Sequence, residues 1–103
     1  MPYDIILSPE AVEDLRAMKA DRRAAVRDAM ERHLRHEPCK QRKSRIKRLR
    51  GLSHPQYRLR VEEVRVFYDV TDNTVEVLAI VPKDQAEAWL ERAGEPDENR
   101  ASE

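Results

Sequence analysis

Residues 57–70 read YRLRVEEVRVFYDV, and they describe two strands joined by a tight turn. With Glu62 and Glu63 as the turn, Val61 falls opposite Val64, Leu59 opposite Val66 and Tyr57 opposite Tyr68, giving an unbroken apolar face. The other face is basic, because Arg60 opposes Arg65 and Arg58 opposes Phe67. Directly opposed like charges cost up to about 1 kcal/mol unless an anion sits between them. The pattern therefore predicts a core on one side of this hairpin and an anion on the other.

Downstream, Asp72-Asn73 predicts a second tight turn, since both residues tolerate left-handed backbone. Pairing outward from it sets Val70 opposite Val75, Tyr68 opposite Val77, Val66 opposite Ala79 and Val64 opposite Val81. The reverse face then carries Arg65 beside Ile80, Phe67 beside Leu78 and Asp69 beside Glu76. Two expectations compete there: Asp69 or Glu76 neutralises the arginines, or the arginines stay free for a ligand. Upstream, Tyr3, Ile5 and Leu7 alternate as a first strand. Ser8 caps and Pro9 starts a helix to about Lys19, with Ala11, Leu15 and Met18 on one stripe. Asp21 caps a second helix to about Glu37, bearing Ala25, Val26, Ala29, Met30 and Leu34 and stopped by Pro38. Pro82 opens a last helix whose Ala86, Trp89, Leu90 and Ala93 form an apolar stripe that ends at Gly94, with Trp89 as a core plug. The fold class expected is α+β: an N-terminal strand, a helical hairpin, then a three-stranded antiparallel meander and a short C-terminal helix, with the helical hairpin on one sheet face and the opposite face open. Residues 1–94 make a single domain, and 95–103 a disordered acidic tail.

Formal charge is zero over 103 residues, yet the charges are segregated. Residues 1–20 hold 2 Lys/Arg and 4 Asp/Glu, residues 21–60 hold 14 and 4, and residues 61–103 hold 4 and 12. Such asymmetry favours a polyanionic partner on the basic side. Its densest part is KQRKSRIKRLR at 40–50, seven Lys/Arg without an acid. Ile46 and Leu49 anchor this run to the core and leave Arg45, Lys47, Arg48 and Arg50 outward, a ridge that loses less entropy on binding phosphate than a loose loop would. Cys39 is the only cysteine, which excludes an intramolecular disulfide and favours a reducing, cytoplasmic setting. No apolar run approaches a membrane span. His33 and His36 lie three residues apart on the second helix with no third ligand nearby, so solvated histidines are expected rather than a metal site, and no cofactor is implied.

This arrangement, with RLRG at 48–51, YRLRV at 57–61, VRVFYDV at 64–70 and VEVLAIVPK at 75–83, resembles the RelE/ParE superfamily of bacterial toxins from type II toxin–antitoxin modules, and more its RelE branch than its ParE branch. The resemblance runs from Tyr3 to about Leu90. It implies a RelE-like fold, a cognate antitoxin as partner, and ribosome-dependent endoribonuclease action on messenger RNA, in which the RNA's own 2′-hydroxyl attacks the adjacent phosphate. By position it implies catalytic roles for Arg58, Arg60 and Arg65 in stabilising transition-state charge; Arg45, Lys47, Arg48 and Arg50 of the basic ridge, with Lys83, are the expected nucleic-acid binders. RelE-type enzymes carry a further arginine and a tyrosine, or a histidine–tyrosine equivalent, after the last strand, where this chain reads KDQAEAWL with Ala86 and Leu90 near those places. No arginine acts as a general base at neutral pH, and Tyr57 and Tyr68 turn inward. Lys83, Asp84, His54 and Glu87 are the remaining options. The resemblance leaves two alternatives open: a ParE-like toxin that inhibits DNA gyrase by binding alone, and a catalytically degenerate RelE homologue.

Overall fold

The computed structural model describes residues 2–42 and 44–97. In chain order the elements are β1 (Asp4–Leu7), α1 (Pro9–Arg16), α2 (Ala20–Leu34), β2 (Ile46–Arg48), β3 (Leu52–His54), β4 (Tyr57–Val61), β5 (Val64–Thr71), β6 (Thr74–Pro82), α3 (Lys83–Ala93) and β7 (Glu95–Pro96). Five strands form one mixed sheet in the order β1-β6-β5-β4-β2, with β1 parallel to β6 and the rest antiparallel. This is the α+β class expected, enlarged at one edge by β2. Ile46 brings β2 into the sheet: it is buried opposite Leu59, while its charged neighbours Lys47 and Arg48 are exposed.

The Ser8 hydroxyl accepts the N–H of Ala11 at 3.1 Å and Pro9 follows it, so α1 starts where capping chemistry places it. The helix ends at Arg16, earlier than Lys19, leaving three residues for the reversal into α2. Lys19, not Asp21, is the N-cap of α2; it makes no side-chain cap bond, and Asp21 sits in the first turn, where its charge still suits the helix dipole. The helix stops at Leu34, and Arg35 reaches across to the Tyr3 carbonyl at 2.8 Å. Val26, Ala29, Met30 and Leu34 from α2 and Ala11 and Leu15 from α1 pack on Leu59, Val66, Tyr68, Val75 and Val77 as the main core.

The β4–β5 pairing matches the expected register at all five positions, from Tyr57↔Tyr68 to Val61↔Val64. The β5–β6 pairing matches only up to Tyr68↔Val77; beyond it Phe67 faces Ala79, Val66 faces Ile80, Arg65 faces Val81 and Val64 faces Pro82. Leu78 is the extra residue of a bulge. The cause lies next door, where β1 ends at Leu7↔Val77 and the chain turns into α1. The Ser8 hydroxyl donates to the Leu78 carbonyl at 2.9 Å, and the Asp14 carboxylate accepts the Ile80 N–H at 2.9 Å. Past the bulge the faces exchange, so Ile80 enters the main core while Ala79 and Val81 turn to the other side.

That other side is not wholly open, which corrects a second expectation. Along β5 and β6 it is covered by α3: Phe67, Ala79, Val81 and Trp89 make a second buried cluster, with Leu49, Leu78, Ala86 and Leu90 packed on it. Trp89 stacks on Phe67 with centroids 5.0 Å apart and planes at 6°, and its ring N–H donates to Glu10 of α1 at 2.7 Å. Glu95 and Pro96, expected in the acidic tail, instead pair with Leu52–His54 as β7, and the Asp97 N–H reaches the Gly51 carbonyl at 3.0 Å. The rest of that tail lies outside the described residues. Among the described residues, no helix is long and apolar enough to cross a membrane.

Candidate nucleic-acid interface

Where α3 stops covering the sheet, β4 and β2 remain. Arg58 and Arg60 alternate with the buried Leu59 and Val61 on β4, so both emerge on the face opposite α1 and α2. Arg65 emerges on the same face of β5 directly across from Arg60, Lys47 of β2 lies across from Arg58, and the Arg60 N–H donates to the Arg45 carbonyl at 2.8 Å. The fold therefore brings Arg45, Lys47, Arg58, Arg60 and Arg65 to one patch. The other expected binders disperse. Arg48 turns to the opposite face, where its guanidinium lies 5.3 Å over the Tyr57 ring and donates to the Gln56 carbonyl at 3.0 Å. Arg50 is exposed in the turn before Gly51, and Lys83 lines a separate cavity with Arg22, Glu63, Pro82 and Asp84.

The three arginines differ in how they are held. Arg65 is only 8% exposed and donates to the carbonyls of Glu62 at 2.9 Å and Val64 at 3.0 Å, which clamps the β4–β5 turn. Arg60 is exposed and donates to the Ser44 hydroxyl at 3.1 Å. Arg58 donates to the Ser44 carbonyl, while its Nε is buried without a partner. Burial, followed by the charges of Arg65 and Arg60, lowers the Arg58 pKa; burial, followed by Arg60, lowers that of Arg65, with Glu63 opposing. Both stay cationic at neutral pH. Burial is the larger cause and the mutual repulsion of the guanidinium groups the smaller one, and a bound anion would offset that repulsion.

Among the described residues, none of the three forms an ion pair. The two acids expected to neutralise them are engaged elsewhere: Asp69 accepts from His54 Nδ1 and from the Gln56 N–H, both at 2.7 Å, and Glu76 accepts from the Thr71 hydroxyl at 3.2 Å. Among the described residues, neither Asp69 nor Glu76 pairs with the arginines, so that expectation for this face is not met. The patch opens into a cleft of about 630 Å³ lined by Arg42, Ser44, Arg45, Arg60 and Glu62. Arg42, Ser44 and Glu62 were not singled out from the sequence as parts of a site. Ser44 sits inside the basic run and Glu62 in a tight turn, and neither position reveals that Arg42, Ser44 and Arg45 come to line a cleft with the hairpin.

Basic character continues toward the end of α2. Burial, then the charges of Arg45, Arg32 and Arg42, lowers the His33 pKa, so His33 shares the cations' field. Among the described residues, no group of three or more His, Cys, Asp and Glu is placed to hold a metal ion. Cys39 is free and exposed. Both tyrosines face inward as expected: Tyr68 stacks on Tyr57 at 5.5 Å and donates to the Pro38 carbonyl at 2.6 Å. Burial drives both phenols above their ordinary pKa, Tyr68 much further than Tyr57, and neither is available as a base at neutral pH.

A family model for the ParE toxin of the type II toxin–antitoxin system parDE matches residues 5–87. A comparison with curated proteins finds no match. Among solved structures, the chain is similar to the toxin–antitoxin complex RelBE2 from Mycobacterium tuberculosis, at 25% identity over 80% of this chain and 99% of that one, with a TM-score of 0.65. It is similar to the archaeal RelE–RelB complex from Pyrococcus horikoshii at 25% identity, covering 81% and 97% of the two chains with a TM-score of 0.61. An arginine-to-alanine double mutant of the E. coli toxin RelE in the free state shares the fold, at 19% identity, 90% and 99% coverage and a TM-score of 0.66.

Proposed function

The chain belongs to the ParE toxin family, within the RelE/ParE superfamily of type II toxins, and from that premise we propose that it acts as a ribosome-dependent endoribonuclease that cuts messenger RNA in the cytoplasm. One observation carries this reading: Arg58, Arg60 and Arg65 converge on one face and, among the described residues, none of them is ion-paired to a carboxylate. A guanidinium array suits phosphoryl transfer, since each group stays charged and can grip two phosphate oxygens. In this reaction the 2′-oxygen attacks the neighbouring phosphorus, the P–O5′ bond breaks, and negative charge builds on the equatorial oxygens. Arg58 and Arg60 stabilise that charge. Arg65, locked by the turn, contributes a fixed positive field. Arg45 and Lys47 hold flanking phosphates.

The partner in the cell is a cognate antitoxin that lays an acidic or amphipathic segment along the same face. The toxin–antitoxin assemblies among the similar structures support a partner of that class. A second reading, inhibition of DNA gyrase by binding alone, has two observations in its favour: the matching family model is that of ParE, and Ala86 and Leu90 stand where an arginine and a tyrosine would serve the nuclease. Adding the purified protein to a translating extract separates the two. The nuclease reading expects messages cut within codons and supercoiling unchanged; intact messages with loss of supercoiling would replace it by the gyrase reading.

A further inference from the structure

The arginine array lacks a group that can take the proton from the 2′-hydroxyl, and the cleft beside it contains one carboxylate among its lining residues. We infer that Glu62 is the general base of the cleavage, a role that rests on the nuclease reading above. Glu62 is exposed and lines the cleft of about 630 Å³ together with Arg42, Ser44, Arg45 and Arg60. Among the described residues its side chain makes no ion pair and no hydrogen bond, so its oxygens are free for a substrate hydroxyl. Its main-chain carbonyl meanwhile holds Arg65 Nη1 at 2.9 Å. One residue thus joins the proton acceptor to the charge-stabilising array.

The backbone supplies an independent observation. Glu62 has φ 52°, the left-handed region that a turn of this kind ordinarily fills with Gly, Asn or Asp. Asp72, at the equivalent place in the next hairpin, has φ 49° and is one of those residues. A glutamate held in this conformation is strained, and strain kept at the mouth of a cationic cleft points to a side chain needed there. The other candidate bases are less well placed. His54 Nδ1 is bound to Asp69 at the far end of the face, Lys83 and Asp84 line the separate cavity with Glu63, and Glu87 is exposed on α3 and does not line the cleft.

The step balances without a further reactant except water. The 2′-hydroxyl proton passes to a Glu62 carboxylate oxygen as the O2′–P bond forms, the P–O5′ bond breaks, and the departing 5′-oxygen takes its proton from water. A 2′,3′-cyclic phosphate and a 5′-hydroxyl result. The charged groups facing Glu62 are Arg42, Arg45 and Arg60 across the cleft, with Glu63 and Arg65 beside it in the hairpin.

The test measures single-turnover cleavage of a messenger bound to purified ribosomes across a pH series, with melting curves for each protein. Glu62→Gln and Glu62→Gly are expected to slow cleavage about 10²- to 10⁴-fold and to lose the acid limb of the pH–rate profile. Glu62→Gly should at the same time melt a few degrees higher, because glycine relieves the strained φ. Glu63→Gln should cleave as the wild type does. A merely structural role would survive both changes at Glu62, since the carbonyl that holds Arg65 is kept. If the wild type cleaves and the Glu62 variants keep its rate and pH profile, or if Glu63→Gln is as slow as they are, the assignment is overturned. A wild type that cuts no message overturns the nuclease reading and this inference with it.

Discussion

Strands β5 and β6 and strands β4 and β2 share one sheet face, but the two halves of that face meet different ends. The first half is roofed by α3, and its Phe67, Ala79 and Val81 are as dry as the main core. The second half leaves Arg60 exposed, donating to the Ser44 hydroxyl, and Arg58 half-buried. Arg65 stands at the seam: it is buried like the roofed half yet charged like the open one. The difference shows how a small domain makes a binding surface, by closing part of a sheet face with one helix so that the uncovered strip is rigid.

Breaking the closed half has the largest expected effect. Trp89→Ala removes the ring stacked on Phe67 and the bond to Glu10, and the protein is expected to lose about 3–5 kcal/mol in denaturant unfolding. The folded fraction should still cleave at the wild-type rate; a much lower rate per folded molecule would make α3 part of the site. Arg60→Ala sharpens the comparison from the open side. It should cut the cleavage rate about 10²- to 10³-fold and leave the melting midpoint unchanged. Arg65→Ala strips the Glu62 and Val64 carbonyls of their donor and should lower the rate and also stability by about 1–3 kcal/mol. If the two variants behave alike in unfolding, the seam described above does not exist.

Which parts of this were legible beforehand follows from where a two-residue period carries information. In YRLRVEEVRVFYDV nearly every second residue of the first strand is charged, so register, turn and basic face came together, and with them Arg58, Arg60 and Arg65. In LAIV at 78–81 every residue is apolar, so no pattern tells one face from the other. The slip at Leu78 depends instead on Ser8 and Asp14, contacts some 70 residues away in sequence. The side on which Trp89 packs was hidden for the same reason, because the slip is what turns Ala79 and Val81 toward α3. β2 was missed because three residues, Ile46–Arg48, pair only after β4 exists. Arg42 and Ser44 reach the cleft through that same long-range pairing, which no local pattern records.

The slip offers the gentlest test of the division into halves, through Asp14. Its carboxylate accepts the Ile80 N–H that the bulge turns toward α1, and burial raises its pKa above the ordinary aspartate value; the bond to Ile80 opposes the rise and the charge of Glu10 adds to it. A carboxyl whose folded pKa is raised favours the protonated folded state. Its contribution to stability is complete below the unfolded pKa and is lost as pH climbs through the folded one. At neutral pH the bulge is therefore held by a charged, half-buried acid. Asp14→Asn keeps an oxygen for Ile80 and discards the charge, so the variant should melt about 1–4 °C above the wild type at pH 7, and the gap should close as the pH is taken below the ordinary aspartate range. A variant that melts lower at pH 7 would mean that the charged bond to Ile80 outweighs the burial of Asp14, and that the exchange of faces at Leu78 is fastened by the ionised carboxylate.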